Sequence, residues 1–456
     1  MIGMIMFFTA LAMLLVGFPV AFTFGAVALF FGLVAGVVEI ISDGGMSEGI
    51  YYVLSSGIAE GIDLFNYMPF RIYSIMQNTI LMAIPMFIFM GIILQKTGLA
   101  ERLLESMGTL FGEIRGGVAI STVLVGSLLA ASTGVVGASV VAMGVISLPV
   151  MLKYKYKTEL AAGTICASGT LGQIIPPSIV LIILGDVFQV PVGDLFKAAV
   201  FPGLLLVALY ILFILIVAFY NKDYAPAVPS TSTDSKKKQI FQALLNIIPA
   251  LSLIILVLGS IFLGVATPTE SAAVGCIGAI LLAILYKSFH FSMIEEAGRE
   301  SVKITSMVFG ILIGATAFSM VFSYTGGEEI VEHFLTNLPG DEKLGFILFT
   351  MIAIMVLGFF IDFVEISYII VPILIPIADV LGINPVWFAI LIAMNLQTSF
   401  LTPPFGFSLF YLKGVAPPSV KTTQIYKGVI PFILIQAFVL ALLVIFPEFF
   451  GMSASV

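Results

Sequence analysis

No charged residue appears before Glu39, and that one feature fixes the solvent in which this chain folds. A helix of those 38 residues would measure about 57 Å at 1.5 Å per residue, nearly twice a bilayer core of about 30 Å. The stretch therefore reads as two spans and not as a removable signal peptide. Gly17-Phe18-Pro19 is the natural break, because proline cannot continue a helix through its own position. The remaining composition agrees. Of 456 residues, 60% are hydrophobic and 10% charged, against about 25% charged in soluble domains, which need a polar skin. A net charge of −7 with 19 Lys+Arg lacks the basic field of a nucleic-acid binder. Cys166 and Cys276 lie inside apolar runs and His290 and His333 are far apart, which gives neither a disulfide framework nor metal-ligand spacing. The apolar runs are continuous instead of alternating in ten-residue pieces, which excludes a β-barrel. The expected class is an all-α polytopic membrane protein.

Apolar segments fall near 1–17, 20–41, 72–94, 117–150, 158–185, 198–220, 240–263, 268–286, 303–323, 344–378, 386–412 and 428–447. Two of them, 117–150 and 344–378, are too long for one span and carry small or polar middles. Each reads as a re-entrant hairpin, a form tolerated only where protein or a water-filled cavity covers it. Charge placement tests that reading. With both hairpins re-entrant, every other segment crossing once and the basic stretch 222–239 cytoplasmic, only Arg71, Lys197 and Lys343 of the 19 basic residues fall outside. Such asymmetry is what the positive-inside rule requires. The outer loops are acidic instead: Glu39, Asp43, Glu48, Glu60 and Asp63 in one, and Glu328, Glu329, Glu332, Asp341 and Glu342 in another.

An internal repeat sharpens the architecture. Thr97-Gly98 recurs as Thr325-Gly326, offset by 228, each followed by an acidic amphipathic stretch. Pro149 recurs as Pro376 and Pro176-Pro177 as Pro403-Pro404, both offset by 227. In the topology above, the first hairpin enters from the cytoplasm and the second from outside, so the two halves are inverted. Inverted repeats with broken segments and ligands near the midplane are the architecture of secondary transporters. The stretch 221–239, rich in Pro, Ser, Thr and Lys, is a solvated tether between the halves.

The chemistry concentrates at the interruptions. The first hairpin carries Ala131 through Ser139 (ASTGVVGAS), and the following segment breaks at Ser168 through Ser178 (SGTLGQIIPPS). The partner half offers Gly358 through Glu365 (GFFIDFVE) and Gln397 through Gly406 (QTSFLTPPFG). Broken helices expose carbonyls and hydroxyls, which suit Na⁺, while half-helix N-termini suit a carboxylate. Small residues such as Ser132 and Gly134 also serve any tight helix packing, and Pro-Pro also serves as a simple kink. Asp362 and Glu365 are a candidate ion or proton site, because a carboxylate in hydrocarbon costs at least about 2.5 kcal/mol; the alternative places one or both shallower, near the outer mouth. Glu270 reads as the N-terminal residue of a helix. No Lys or Arg falls in either hairpin middle or either break, so an anionic cargo must be neutralised by helix dipoles, neutral donors and bound cations. HExxH, GxSxG and Walker-type loops are missing, which leaves an enzyme without its parts.

SGTLGQIIPPSIVLIILGD, LLAASTGVVGASVVAMGVISLP, GVATPTESAA and QTSFLTPPFGFSLF together resemble the signatures of the large membrane subunit of TRAP transporters, the DctM type of the ion-transporter superfamily. The resemblance covers almost the whole chain. It implies an inverted repeat with two re-entrant hairpins and two broken helices, arranged as a scaffold and an elevator-type transport domain. On that layout 1–95 and 240–323 are scaffold, 96–220 and 324–412 are the two repeat arms with their hairpins and broken helices, 221–239 is the linker and 413–456 the C-terminal helix and tail. The resemblance further implies Na⁺-driven import of an organic acid across the bacterial inner membrane, with Na⁺ as coupling ion and no cofactor. The partners are a small four-helix membrane subunit on a separate chain and an extracytoplasmic solute-binding protein. By position, sodium would fall on Ser132, Gly134, Ser168, Gly169, Thr170, Asp362, Gln397, Thr398 and Thr402. Substrate would fall on Thr133, Gly137, Gly172, Gln173, Pro176, Ser399 and Pro403. A stand-alone Na⁺- or H⁺-coupled carboxylate carrier is the alternative in the same class, and an ion channel or membrane scaffold subunit the alternative from another.

Overall fold

The structure is a computed structural model that describes residues 1–228, 236–337 and 341–455; residues 229–235 of the expected tether lie outside the described residues. The first half contains α1 (Ile2–Val16), α2 (Val20–Ser42), α3 (Ile50–Asp63), α4 (Met68–Gln77), α5 (Ala83–Lys96), α6 (Leu99–Phe111), α7 (Gly117–Thr133), α8 (Val136–Lys153), α9 (Thr158–Thr170), α10 (Ile179–Val187) and α11 (Val192–Tyr220). The second contains α12 (Lys236–Phe262), α13 (Pro268–Leu285), α14 (Phe291–Tyr324), α15 (Gly327–Thr336), α16 (Glu342–Leu357), the single turn α17 (Phe363–Glu365), α18 (Val371–Val380), α19 (Pro385–Leu401), α20 (Phe407–Val415) and α21 (Thr422–Ile445). Among the described residues there is no β-sheet, and eight helices are long and apolar enough to cross a membrane. The chain is a multi-pass membrane protein.

The local signals act where the sequence places them. Gly17 adopts φ 98° and ends α1, and Pro19 precedes α2. The side chain of Thr267 accepts from the Glu270 amide at 3.3 Å while Glu270 Oε2 accepts from the Thr267 amide at 2.8 Å, a reciprocal cap that starts α13. After Thr97-Gly98 the path turns by 55° into the amphipathic α6. Gly98 and Gly326 take matching left-handed conformations, φ 69° and 71°.

The repeats appear in the packing. α5 and α14 are counterparts that end just before Thr97 and Thr325. α2 packs along α14, while α13 packs along α5, so each of these counterparts is covered by a helix of the other half. The broken helices follow the same relation. α9 begins at Thr158 and α19 at Pro385, offset by 227, and both breaks contain a cis Pro-Pro bond. α21 lies against α9 at backbone distance: a Cβ on Gly163 would sit 2.1 Å from the Gly428 carbonyl oxygen.

The segment 42–71 differs from its expectation as an outer loop. It is largely helical, and its longest helix, α3, folds back along α2. Gly32 and Gly36 of α2 interlock with Gly57 and Gly61 of α3; a Cβ on Gly36 would fall 2.3 Å from the Gly57 oxygen and 2.4 Å from the Gly61 nitrogen. Paired small residues four apart are how helices approach closely in lipid. Since Gly32 lies ten residues before the end of α2, α3 descends about 15 Å alongside it.

Candidate functional site

The first hairpin is two helices joined by two residues, Gly134 and Val135. α7 ends on Thr133, Gly134 takes φ 62°, and α8 starts at Val136. The Gly134 amide donates to the Ala130 carbonyl at 2.9 Å, and the hydroxyls of Thr133 and Ser139 pair at 2.8 Å across the tip. A side chain at Gly134 would be strained by its backbone and would meet Ile179 of α10 at 3.2 Å. The side chain of Ser132 lies outside what the structure describes.

The first break faces this tip. α9 and the turn Leu171–Gln173 pack against α7 and α8. Gly169 abuts Val140 of α8, and Gly172 abuts the Ala130 carbonyl. The Ser168 hydroxyl donates to Ile165 O at 3.1 Å, and that of Ser178 to Gln173 O at 2.7 Å beyond the cis Pro176-Pro177 bond. The Gln173 amide is fully buried, and neither of its polar atoms has a hydrogen-bond partner among the described residues. Buried polar groups are nearly always paired, so Gln173 is a side chain with unspent capacity.

The second hairpin is built differently. α16 ends at Leu357, and Gly358–Asp362 run to the short α17, which leads into a π-helical stretch, Ile366–Ile370. Asp362 Oδ1 accepts from the Phe363 amide at 2.7 Å and so caps the returning helix. Gly358 abuts Ser399 of α19, where a Cβ would lie 2.2 Å from the Ser399 hydroxyl. Phe360 packs on Phe405 in the second break at 5.0 Å, and Phe363 on Phe400 at 6.2 Å. Around that break Thr398 Oγ1 donates to Met394 O at 2.9 Å, Thr402 Oγ1 to Thr398 O at 2.7 Å and Ser408 Oγ to Phe400 O at 2.9 Å. Tyr426 donates to Pro404 O at 2.8 Å. Several carbonyls freed by the two breaks are therefore satisfied by hydroxyls.

The two halves meet here. The turn after α9 packs on α19, and α20 packs on both α8 and α9. Thr133, Gly134, Gly137, Ser168, Gly169, Gly172 and Gln173 gather at the first crossing; Asp362, Thr398, Ser399 and Thr402, with Pro403 in its cis bond, gather at the second. Two expected residues point elsewhere. Glu365 is buried, with Oε2 unpaired among the described residues, and lines a narrow crevice of about 10 Å³ with Phe7, Ala10, Leu11 and Leu14 of α1 and Phe24 of α2. Thr170 donates to Ala167 O at 2.9 Å and receives Gln436 Nε2 at 3.4 Å, so its hydroxyl faces α21 and not the hairpin tip.

Three features escaped the sequence. Tyr411 of α20 lies over the N-terminal turn of α8, where a Cβ on Gly137 would come within 3.0 Å of its ring. Asp186 of α10 accepts from the Asn78 side chain, which joins the broken helix to the turn before α5. Tyr210 and Gln436 are hydrogen-bonded in the interior. Asp186, Tyr210 and Gln436 each stand in an otherwise apolar run, and a polar residue in such a run was the available signal.

The sequence profile of the family described as "Tripartite ATP-independent periplasmic transporter, DctM component" matches residues 7–449. The chain is 32% identical over 399 residues to the C4-dicarboxylate TRAP transporter large permease protein DctM of Pseudomonas aeruginosa, covering 86% of this chain and 91% of that protein. It is 29% identical over 452 residues to the sialic acid TRAP transporter large permease protein SiaM of Vibrio cholerae, covering 98% and 97%. The fold is also similar to that of the YdaH transporter of Alcanivorax borkumensis, with a TM-score of 0.61 at 15% identity over 87% of this chain and 91% of that one.

Proposed function

The chain belongs to the DctM-component family of tripartite ATP-independent periplasmic (TRAP) transporters, and from that premise we propose that this permease subunit imports an organic acid together with Na⁺. The observation that carries the proposal is that each hairpin tip meets a helix break and that the two breaks pack on each other. Small residues, hydroxyls, amides and the Asp362 carboxylate line these contacts, and no Lys or Arg occurs in those four stretches. Hard oxygen donors with one negative charge suit an alkali cation, and a carboxylated solute can then be held by the cation, the first turn of α8 and neutral donors. Carboxylated solutes are also what the names of both relatives describe.

In this reading Na⁺ is held at the first crossing by Ser132, Gly134, Ser168, Gly169 and the main chain of Thr170, whose hydroxyl anchors the break to α21, and at the second by Asp362, Gln397, Thr398 and Thr402. The solute lies between them, against Thr133, Gly137, Gly172, Gln173, Pro176, Ser399 and Pro403, with Tyr411 over the tip. Segments 96–220 and 324–412 carry the solute past a scaffold made of 1–95 and 240–323, and α21 travels with α9, to which it is interlocked. Glu365, facing the scaffold, is the group placed to carry a proton. The partners are a separate small membrane subunit and an extracytoplasmic binding protein that delivers the solute at the outer face of the bacterial cytoplasmic membrane.

The test is uptake of labelled carboxylic acids into proteoliposomes holding both membrane subunits, with the binding protein outside and an imposed Na⁺ gradient. Uptake should require all three components and the gradient. Thr170→Ala or Thr398→Ala should raise the Na⁺ concentration for half-maximal uptake. Unchanged Na⁺ dependence in both variants would refute the sodium assignment, and full uptake without the binding protein would refute the assembly.

A further inference from the structure

Away from the tips and breaks, the structure buries one more group of polar side chains, and it sits on the relation between the repeats. Tyr210 of α11 and Gln436 of α21 are both fully buried and stand 226 positions apart, the repeat offset to within one residue. Gln436 Nε2 donates to the Tyr210 hydroxyl at 2.7 Å. The same nitrogen reaches Thr170 Oγ1 at 3.4 Å, and the Gln397 amide faces the Tyr210 hydroxyl. Thr170 and Gln397 are themselves counterparts, 227 positions apart. The four residues form one knot in which each repeat's helix break touches a side chain from the other repeat.

The donor count gives the knot a direction. A tyrosine oxygen has two acceptor lone pairs; one accepts from Gln436, and the Gln397 amide faces the other. Gln397 makes no well-directed side-chain hydrogen bond of its own among the described residues. Its amide nitrogen is the group set toward the Tyr210 oxygen, which leaves the Gln397 carbonyl oxygen, unpaired among the described residues, to turn to a bound cation. Packing alone does not require this chemistry, since the Tyr210 ring already meets Phe432 edge-on at 5.1 Å.

We infer that Tyr210 and Gln436 are positioning residues that hold Gln397 and Thr170, and with them the two helix breaks, in the orientation from which both repeats present their sodium ligands. The inference rests on the sodium reading above, and it adds two residues that touch neither hairpin tip.

Tyr210→Phe keeps the ring and removes only the hydroxyl, and Gln436→Met keeps the length and removes the donor. Each is assayed in the full reconstituted system, alone and combined. Loss of one internal hydrogen bond should raise the Na⁺ concentration for half-maximal uptake about three- to tenfold, with the maximal rate at saturating Na⁺ and the melting midpoint close to the parent's. The double variant should be no worse than the weaker single, because both remove one shared interaction. Sodium dependence within twofold of the parent in all three variants overturns the brace, as does a loss of maximal rate with no change in sodium dependence. Gln397→Ala and Thr398→Ala run alongside. If they shift sodium dependence while Tyr210→Phe and Gln436→Met do not, the brace fails and the sodium reading stands. If none of them shifts it, the sodium reading fails and takes the brace with it.

Discussion

The two hairpins descend from one pattern and no longer do the same chemistry. Their returning helices start at Val136 and Phe363, 227 positions apart, so the skeleton is kept to the residue. The arms that lead in are not equivalent: α7 reaches Thr133, whereas α16 stops at Leu357, about one turn short of the matching position. At the N-cap the first hairpin has Val135 with no side-chain hydrogen bond, and the second has Asp362 bonded to the Phe363 amide. The first tip is thus a neutral cradle made of backbone, Gly134 and paired hydroxyls. The second brings a carboxylate on an unwound arm. A duplicated unit gave two matching hairpins, and divergence left one tip neutral and gave the other a carboxylate.

The difference extends to how each broken helix is held, and the largest predicted effect lies there. α9 meets α21 through Gly163 and Gly428, backbone against backbone, whereas the counterpart positions at offset 227 are Ile390 and Phe201. Gly163→Leu would force backbone, not a flexible side chain, to give way, and should cost more than about 3 kcal/mol. The expected outcome is loss of folded protein in detergent, read as a collapsed melting transition. Ile390→Leu, a volume-conserving change at the counterpart, should cost less than about 1.5 kcal/mol. Equal tolerance at both positions would mean that the two broken helices are held alike.

A smaller effect separates the tips themselves. Gly134 needs φ 62°, so Gly134→Val places a β-branched side chain in left-handed backbone against Ile179, at a cost of about 1–3 kcal/mol. Uptake should fall at least about tenfold while the protein still purifies as a monodisperse species. Ile361→Val, at the counterpart position, should leave uptake within about twofold. Similar loss from both would show that the second tip depends on the same tight turn as the first.

These contrasts mark how far sequence carries. The repeat was legible because Thr-Gly, Pro149/Pro376 and the two Pro-Pro pairs are local punctuation, and local punctuation sets where along the chain a helix stops. The Thr267–Glu270 cap and the Gly17-Phe18-Pro19 break are legible for the same reason. What stayed hidden concerns rotation about a helix axis and the partner across the fold. Nothing local to Gly57 and Gly61 says that they interlock with Gly32 and Gly36, so 42–71 read as a loop when it folds back along α2. Tyr411 over Gly137 and Gln436 against Tyr210 join residues more than two hundred positions apart. Asp362 and Glu365 read as one candidate ion or proton site because they stand three positions apart, yet one caps α17 at the break and the other turns toward α1 and α2.

That last pair gives the finest cut. Asp362 caps α17 beside the second break, where a carboxylate can meet a cation; Glu365 looks into a narrow crevice walled by α1 and α2, with Oε2 unpaired among the described residues. Asparagine at 362 keeps an oxygen for the Phe363 amide and removes only the charge, so Asp362→Asn should preserve the fold and raise the half-saturating Na⁺ concentration about tenfold or more, in line with losing a charged ligand. Glu365→Gln should leave it within about twofold, because the amide replaces a carboxyl that holds no sodium. The readout that separates the roles is uptake driven by a pH gradient with Na⁺ equal on both sides. Any such component should survive Asp362→Asn in proportion to the remaining sodium occupancy and vanish in Glu365→Gln. Should Glu365→Gln instead weaken sodium as strongly as Asp362→Asn, the two carboxylates act as one site and the crevice beside α1 and α2 is not where Glu365 does its work.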